Sequence, residues 1–249
     1  MRRPYKIIRS ASKKKEERMI NLKTIFVVGF MCSFNTILAQ TPTAIHVFFS
    51  PIYDSNTVDL SDSSFFTNDS NNLQIDVLKF YSSQFQFLKN GTIVLEEHNS
   101  FHLLDASFPK SLHITIENQQ YIDFDQLNFN FGIDSIANVS GAIGGDLDPT
   151  KGMYWTWQSG YINFKLEGKS KLCTTRNNEF QFHLGGYQSP FATLQKLEFP
   201  IHNTQQIYIN IDVKKIIEHC SIGTQSHVMS PNEEATLLSK KVSQAFTIK

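Results

Sequence analysis

Three groups of residues in this chain have types and spacings that can do chemistry. Both of its tryptophans, Trp155 and Trp157, lie in the glycine-bounded run Gly152–Gly168. On an extended segment a spacing of two sends both indoles to the same face, as core packing or as a stacking surface. His183 follows in Phe180-Gln-Phe-His-Leu-Gly-Gly186. Alternation there puts Phe180, Phe182 and Leu184 on one face and the imidazole on the other, as a surface or hydrogen-bonded group or as a ligand. The Gly185-Gly186 pair permits tight backbone geometry beside it. Asp134, Asp146 and Asp148 form the third group. Carboxylates on a glycine-containing loop suit calcium, and they equally suit turns that hold no ion.

Other chemistries find little support. No histidine pair has metalloprotease spacing, and no cysteine or Cys/His cluster matches a structural zinc site. His219-Cys220 with His227 makes a soft metal-donor set only if Cys220 is free. Without Gly-x-Ser-x-Gly there is no nucleophile elbow, and nothing singles out a glycosidase carboxylate pair. The chain is expected to be non-catalytic by itself, with a hydrolase kept as a third reading that no motif supports.

The first forty residues read as an export signal rather than as fold. Eight Lys and Arg side chains between Arg2 and Arg18 precede an apolar stretch that ends in Ala39-Gln40. Met19 is the expected start, with residues 1–18 an upstream over-read. The apolar stretch is short and interrupted by Ser33, Asn35 and Thr36, so it suits a cleaved signal better than a membrane anchor. A periplasmic or extracellular protein with no membrane span after cleavage is expected. Cys32 lacks the small-residue context of a lipidated cysteine. Beyond position 40 there are 14 basic and 21 acidic residues, a net charge of −7. That balance removes the electrostatic basis for nucleic-acid binding. In an exported chain the remaining pair, Cys173 and Cys220, reads as a disulfide contributing on the order of 4 kcal/mol.

The elements that must position these groups are mostly strands. Short alternating runs recur at Ala44–Phe49, Leu73–Leu88, Leu127–Phe131, Ile162–Leu166, Phe180–Leu184 and Ile207–Ile211, separated by Asn, Asp, Ser and Gly. They predict one all-β domain over 41–249, an antiparallel β-sandwich with long loops at 54–72 and 133–154. Helix evidence is confined to a short turn over 212–219 and to a C-terminal helix. The latter is expected to start with Ser230 as N-cap, Pro231 at the first helical position and Glu233 closing a capping box.

The run Gly152-Met-Tyr-Trp-Thr-Trp-Gln-Ser-Gly-Tyr161, followed by Phe182-His-Leu-Gly185, resembles the MbnP-like family of secreted copper-binding proteins. The resemblance extends to Leu78–Phe87, His102-Leu-Leu-Asp105, Phe129–Asp134 and Gly145-Asp-Leu-Asp-Pro149, covering most of 45–200. It implies a β-sandwich that binds one copper ion. It also implies a tryptophan, Trp155 or Trp157, oxidised by a dihaem partner of the cytochrome c peroxidase type. His183 is the implied copper ligand. An Asn-His pair carried by many members is missing, the matching stretch being Ala137-Asn138-Val139. A second nitrogen donor then comes from His46 or His227. The alternative is a non-copper structural or ligand-binding sandwich, with calcium on the aspartate loop.

Overall fold

The structure, a computed structural model, describes residues 43–67, 71–118, 120–157 and 160–249. The expected signal segment lies outside the described residues. In chain order the strands are β1 (Thr43–Tyr53), β2 (Asn56–Thr57), β3 (Phe65–Phe66), β4 (Gln74–Lys89), β5 (Thr92–Glu96), β6 (Phe101–Asp105), β7 (His113–Asn118), β8 (Gln126–Phe131), β9 (Tyr154–Trp155), β10 (Gly160–Lys169), β11 (Glu179–Gly185), β12 (Gln195–Pro200), β13 (Gln206–Asp212), β14 (His227–Val228) and β15 (Phe246–Ile248). The helices are α1 (Ser135–Val139), α2 (Val213–Cys220) and α3 (Glu233–Ser243). Among the described residues no helix is long and apolar enough to cross a membrane.

The strands form two sheets around one main core, as the alternation predicts. The smaller sheet centres on β1, which pairs with β13 on one edge and with β7 and β2 on the other, while β15 extends it beyond β13. Ile45, Val47 and Phe49 of β1 face the core with Ile114 and Ile116 of β7 and Ile207, Ile209 and Ile211 of β13. The residues between them therefore face solvent. Pairing is antiparallel except for β1 with β13 and β11 with β14, which are parallel. A strand pattern does not reveal pairing direction, so this mixture was not legible in the sequence.

The larger sheet is organised by the sixteen-residue β4. Its N-terminal part pairs with β10 and its C-terminal part with β8. β6 overlaps both registers, so it must take the opposite edge of β4. The register shifts between Ser83 and Gln86, and Gln84 adopts a left-handed φ of 53°. This bulge is where the edge passes from β10 to β8. Asn163 fills the split: its Oδ1 accepts the Ile133 N–H at 2.9 Å and its Nδ2 donates to Thr193 Oγ1 at 2.9 Å. A side chain at Gly132 would collide with Asn163, at 2.7 Å, and Gly132 sits at φ 114°. Glycine is the residue that fits both constraints.

Two sequence expectations about local structure are corrected. The C-terminal helix starts later than its Ser-Pro signature suggests: Asn232, not Ser230, is the N-cap, accepting the Ala235 N–H at 2.8 Å. Asparagine is as good a cap as serine, and here its side chain rather than that of Ser230 meets the first free amides. The 133–154 segment is not an irregular loop either. It contains α1 and two 3-10 turns, and its Ile133, Ala137, Leu147 and Met153 are buried with Trp155, which follows it, and with Tyr81, Leu103, Tyr161 and Ile162 in a second core cluster. Scattered single apolar residues, without period, gave no sign of that second layer.

Candidate functional site

His46 and His113 come together on the solvent face of the smaller sheet. In the β1/β7 register His46 lies opposite Thr115 and Phe48 opposite His113, so the two histidines are diagonal neighbours. His46 Nδ1 lies 3.0 Å from His113 Nε2. One ring donates its N–H to the lone pair of the other, the tautomers being set by that contact. Thr115 Oγ1 stands 3.3 Å from His46 Nδ1 and 3.5 Å from His113 Nε2. The His113 ring stacks on Phe48 at 4.3 Å, and Phe48 stacks on Tyr208 of β13 at 5.0 Å. Two imidazole nitrogens thus converge on one point, with a hydroxyl beside them and aromatic rings fixing the orientation of one of them.

His183 is placed differently. It is buried on β11, where Nε2 meets Glu167 Oε1 at 2.6 Å across the β10/β11 pair. Lys165 Nζ lies 3.2 Å from the same oxygen. The hydrogen bond from His183, assisted by Lys165 and opposed by burial, holds the Glu167 carboxyl down at about 2. An imidazole nitrogen engaged by a carboxylate at this distance has a hydrogen-bond partner already. His227 is exposed on β14, opposite Gln181, and His46 belongs to the other sheet. Among the described residues no group of three or more His, Cys, Asp or Glu side chains is placed to hold a metal ion. The three expected donors, His183, His46 and His227, are therefore not brought together as a set.

The tryptophans do not share an environment. The strand ends at Trp155, and the chain turns before Trp157, so the expectation of one common face is corrected. Trp155 is 7 % exposed and Trp157 64 %, with ring centroids 5.7 Å apart. The role of Gly185 changes with them: a Cβ there would lie 2.6 Å from Trp155 Cζ3. The glycine accommodates the indole against β11.

The aspartates are engaged by backbone and side-chain donors of the protein itself. Asp134 caps α1, accepting the Ala137 N–H at 2.8 Å, and takes Gln84 Nε2 at 2.6 Å on its other oxygen. Asp146 accepts the Leu103 N–H at 3.0 Å and pairs with Lys151 at 2.6 Å. Asp148 caps a 3-10 turn through Thr150 Oγ1 and Thr150 N–H, which hold its carboxyl below the usual carboxylate range. These contacts give each carboxylate a structural role without calcium. The expected disulfide is corrected as well: Cys173 and Cys220 are free, buried thiols in the main core. Burial pushes the Cys220 thiol up to about 12, so it stays protonated and apolar in character.

His113 is the residue that sequence reasoning missed. It alternates with Ile114 and Ile116, which marks it as solvent-facing, yet only the β1/β7 register joins it to a residue 67 positions away.

Comparison with known proteins agrees with this architecture. The MbnP family model matches residues 42–231. Among solved structures, MbnP from Methylosinus trichosporium is similar with a TM-score of 0.54 at 12% sequence identity, covering 72% of this chain and 78% of that one. At that identity the likeness concerns the fold. A search of curated protein sequences finds no match. With the family model spanning well over half of the sequence and a fold similar to that structure, the chain belongs to the MbnP family.

Proposed function

We propose that this domain is an exported copper-binding protein and that His46 and His113 hold the metal. The observation that carries the reading is the 3.0 Å approach of two imidazole nitrogens on a solvent-facing sheet surface. Imidazole suits copper, and a metal would replace the proton that now lies between the rings. Phe48 and Tyr208 restrict the His113 ring, and Thr115 offers an oxygen beside the pair. Copper bound there supplies a redox-active or transferable ion, and this chain's own side chains hold and orient it. His183 is assigned to the hydrogen bond with Glu167 instead.

The tryptophan proposal follows from exposure. Trp157 presents most of its indole to solvent, so it is the residue a dihaem oxidase of the kind associated with this family would reach, with Trp155 behind it. The role proposed is binding and handling rather than catalysis.

The test is copper stoichiometry of the purified protein by metal analysis after dialysis. One copper per chain is expected, falling below about a tenth in His46→Ala and His113→Ala and unchanged in His183→Ala. Retention of copper by the His46→Ala/His113→Ala double variant, or its loss only in His183→Ala, would refute the assignment.

A further inference from the structure

A cleft of about 440 Å³ lies between β6, the turn that leads into β7, and the 146–151 segment. Three lysines line it: Lys79, Lys110 and Lys151. They are three of only 14 basic residues beyond position 40, in a stretch with net charge −7.

The hydrogen-bond inventory of the cleft is unbalanced towards donors. Asp105 and Asp146 also line it, and both are satisfied by the protein. Asp105 Oδ1 accepts from Ser107 N–H at 2.9 Å and Ser107 Oγ at 2.6 Å, and Oδ2 pairs with Lys79 at 2.9 Å. Asp146 divides its oxygens between the Leu103 N–H and Lys151. Each ammonium carries three N–H donors. Lys79 and Lys151 therefore use one apiece, and the Lys110 side chain has no hydrogen-bond or ionic partner among the described residues. Every oxygen of the two aspartates already has a partner, the ammonium donors outnumber the lone pairs left over, and the space between them is open to solvent. The two aspartates also fix the lysines of the cleft walls in place, which lowers the entropy lost when a ligand binds.

We propose that this cleft binds a small oxyanion, a carboxylate or a phosphate, held by Lys110 with Lys79 and Lys151. Charge-assisted bonds from ammonium to anionic oxygen are the strong class of hydrogen bond, and lysine is a common phosphate-binding group. His113 of the histidine pair also lines the cleft, so the two sites adjoin; they differ in ligand chemistry, ammonium donors here and imidazole lone pairs there.

Isothermal titration of the metal-stripped protein with inorganic phosphate and with citrate, at constant ionic strength set by sodium chloride, tests the proposal. Saturable one-to-one binding of at least one anion is expected. A tenfold preference for citrate identifies a carboxylate ligand, the reverse preference identifies a phosphate, and similar affinities identify a general oxyanion site. Lys110→Glu is expected to weaken binding at least tenfold, and Lys110→Ala several-fold, with the melting temperature unchanged. Lys196→Glu, an exposed reversal on β12, serves as the control for overall charge and should leave binding as it is. His46→Ala should also leave it unchanged, which separates this site from the copper reading. No saturable binding of either anion, equal weakening by Lys110→Glu and Lys196→Glu, or no effect of Lys110→Glu would overturn the proposal.

Discussion

At the residue scale, two histidines of similar appearance in the sequence have opposite chemistry in the fold. His46 faces solvent beside a second imidazole, whereas His183 is buried against a carboxylate. The buried pair makes stability depend on pH. The Glu167 carboxyl is held at about 2, below the ordinary value of 4.5 for a free glutamate, first by the His183 hydrogen bond and then by Lys165. A folded-state value below the unfolded one means that the unfolded chain takes up protons first on acidification. The contribution is therefore complete above about pH 4.5 and is lost as pH falls towards 2. With the carboxylate still partly exposed, a discounted contribution is about 2 kcal/mol. Glu167→Gln is expected to lower unfolding free energy by about that amount at pH 7 and to remove this part of the acid dependence. Urea titrations at pH 7, 4.5 and 2.5 check both effects, and parallel pH profiles of the two proteins would contradict them.

At the element scale, the 133–157 segment acts as a second layer rather than as a loop. α1 is only five residues long, too short to be stable by itself. It is held by the Asp134 cap, by Asn138, whose Oδ1 accepts the Tyr161 N–H at 2.8 Å, and by the buried cluster beneath. Trp155 closes that cluster against β11, and Gly185 leaves the space for it. In Gly185→Ala the new methyl carbon would lie 2.6 Å from both Trp155 Cζ3 and the Tyr161 carbonyl oxygen. The indole has to move, and the β10/β11 backbone at Tyr161 has to shift as well to relieve the second contact. A loss of about 1–3 kcal/mol is expected, with a red shift of tryptophan emission as Trp155 gains water. An unchanged melting temperature and emission maximum would show that the layer is looser than its packing implies.

At the scale of the whole molecule, stability comes from one large core between two sheets, with no cross-link among the described residues. Cys173 and Cys220 are 3 % and 1 % exposed, and burial raises both thiols. Because the thiolate is the reactive form, the native protein should resist iodoacetamide at pH 8, while both cysteines should alkylate in urea without added reductant. Intact mass reads the outcome directly, and dithiothreitol should leave the melting point within about 1 °C. Alkylation that requires prior reduction would mean that the pair is bridged. A core of this size suffices without a disulfide, as expected for a domain of about two hundred residues.

Much of this was present in the sequence because it depends on period and composition. Alternation at Ile45-His46-Val47-Phe48-Phe49 and Phe180-Gln-Phe-His-Leu184 assigns each side chain to the core or to the opposite face, and the Met-Tyr-Trp-Thr-Trp motif marks the family. Asp212 at a helix start and the apolar spacing of Ala235, Leu238 and Val242 likewise marked α2 and α3. Alternation shows which face a residue occupies and says nothing of what covers that face. His183 is buried because Glu167 lies across the β10/β11 pair, and Trp155 is buried because β9 folds back on β10. His46 meets His113 only through the register of β1 with β7, which is set by core packing and hydrogen bonding along the whole strand pair. Sequence by itself determined the class of domain and the side chains that face outward. Tertiary structure decided which of those side chains meet, because strand pairing joins residues that no local pattern connects.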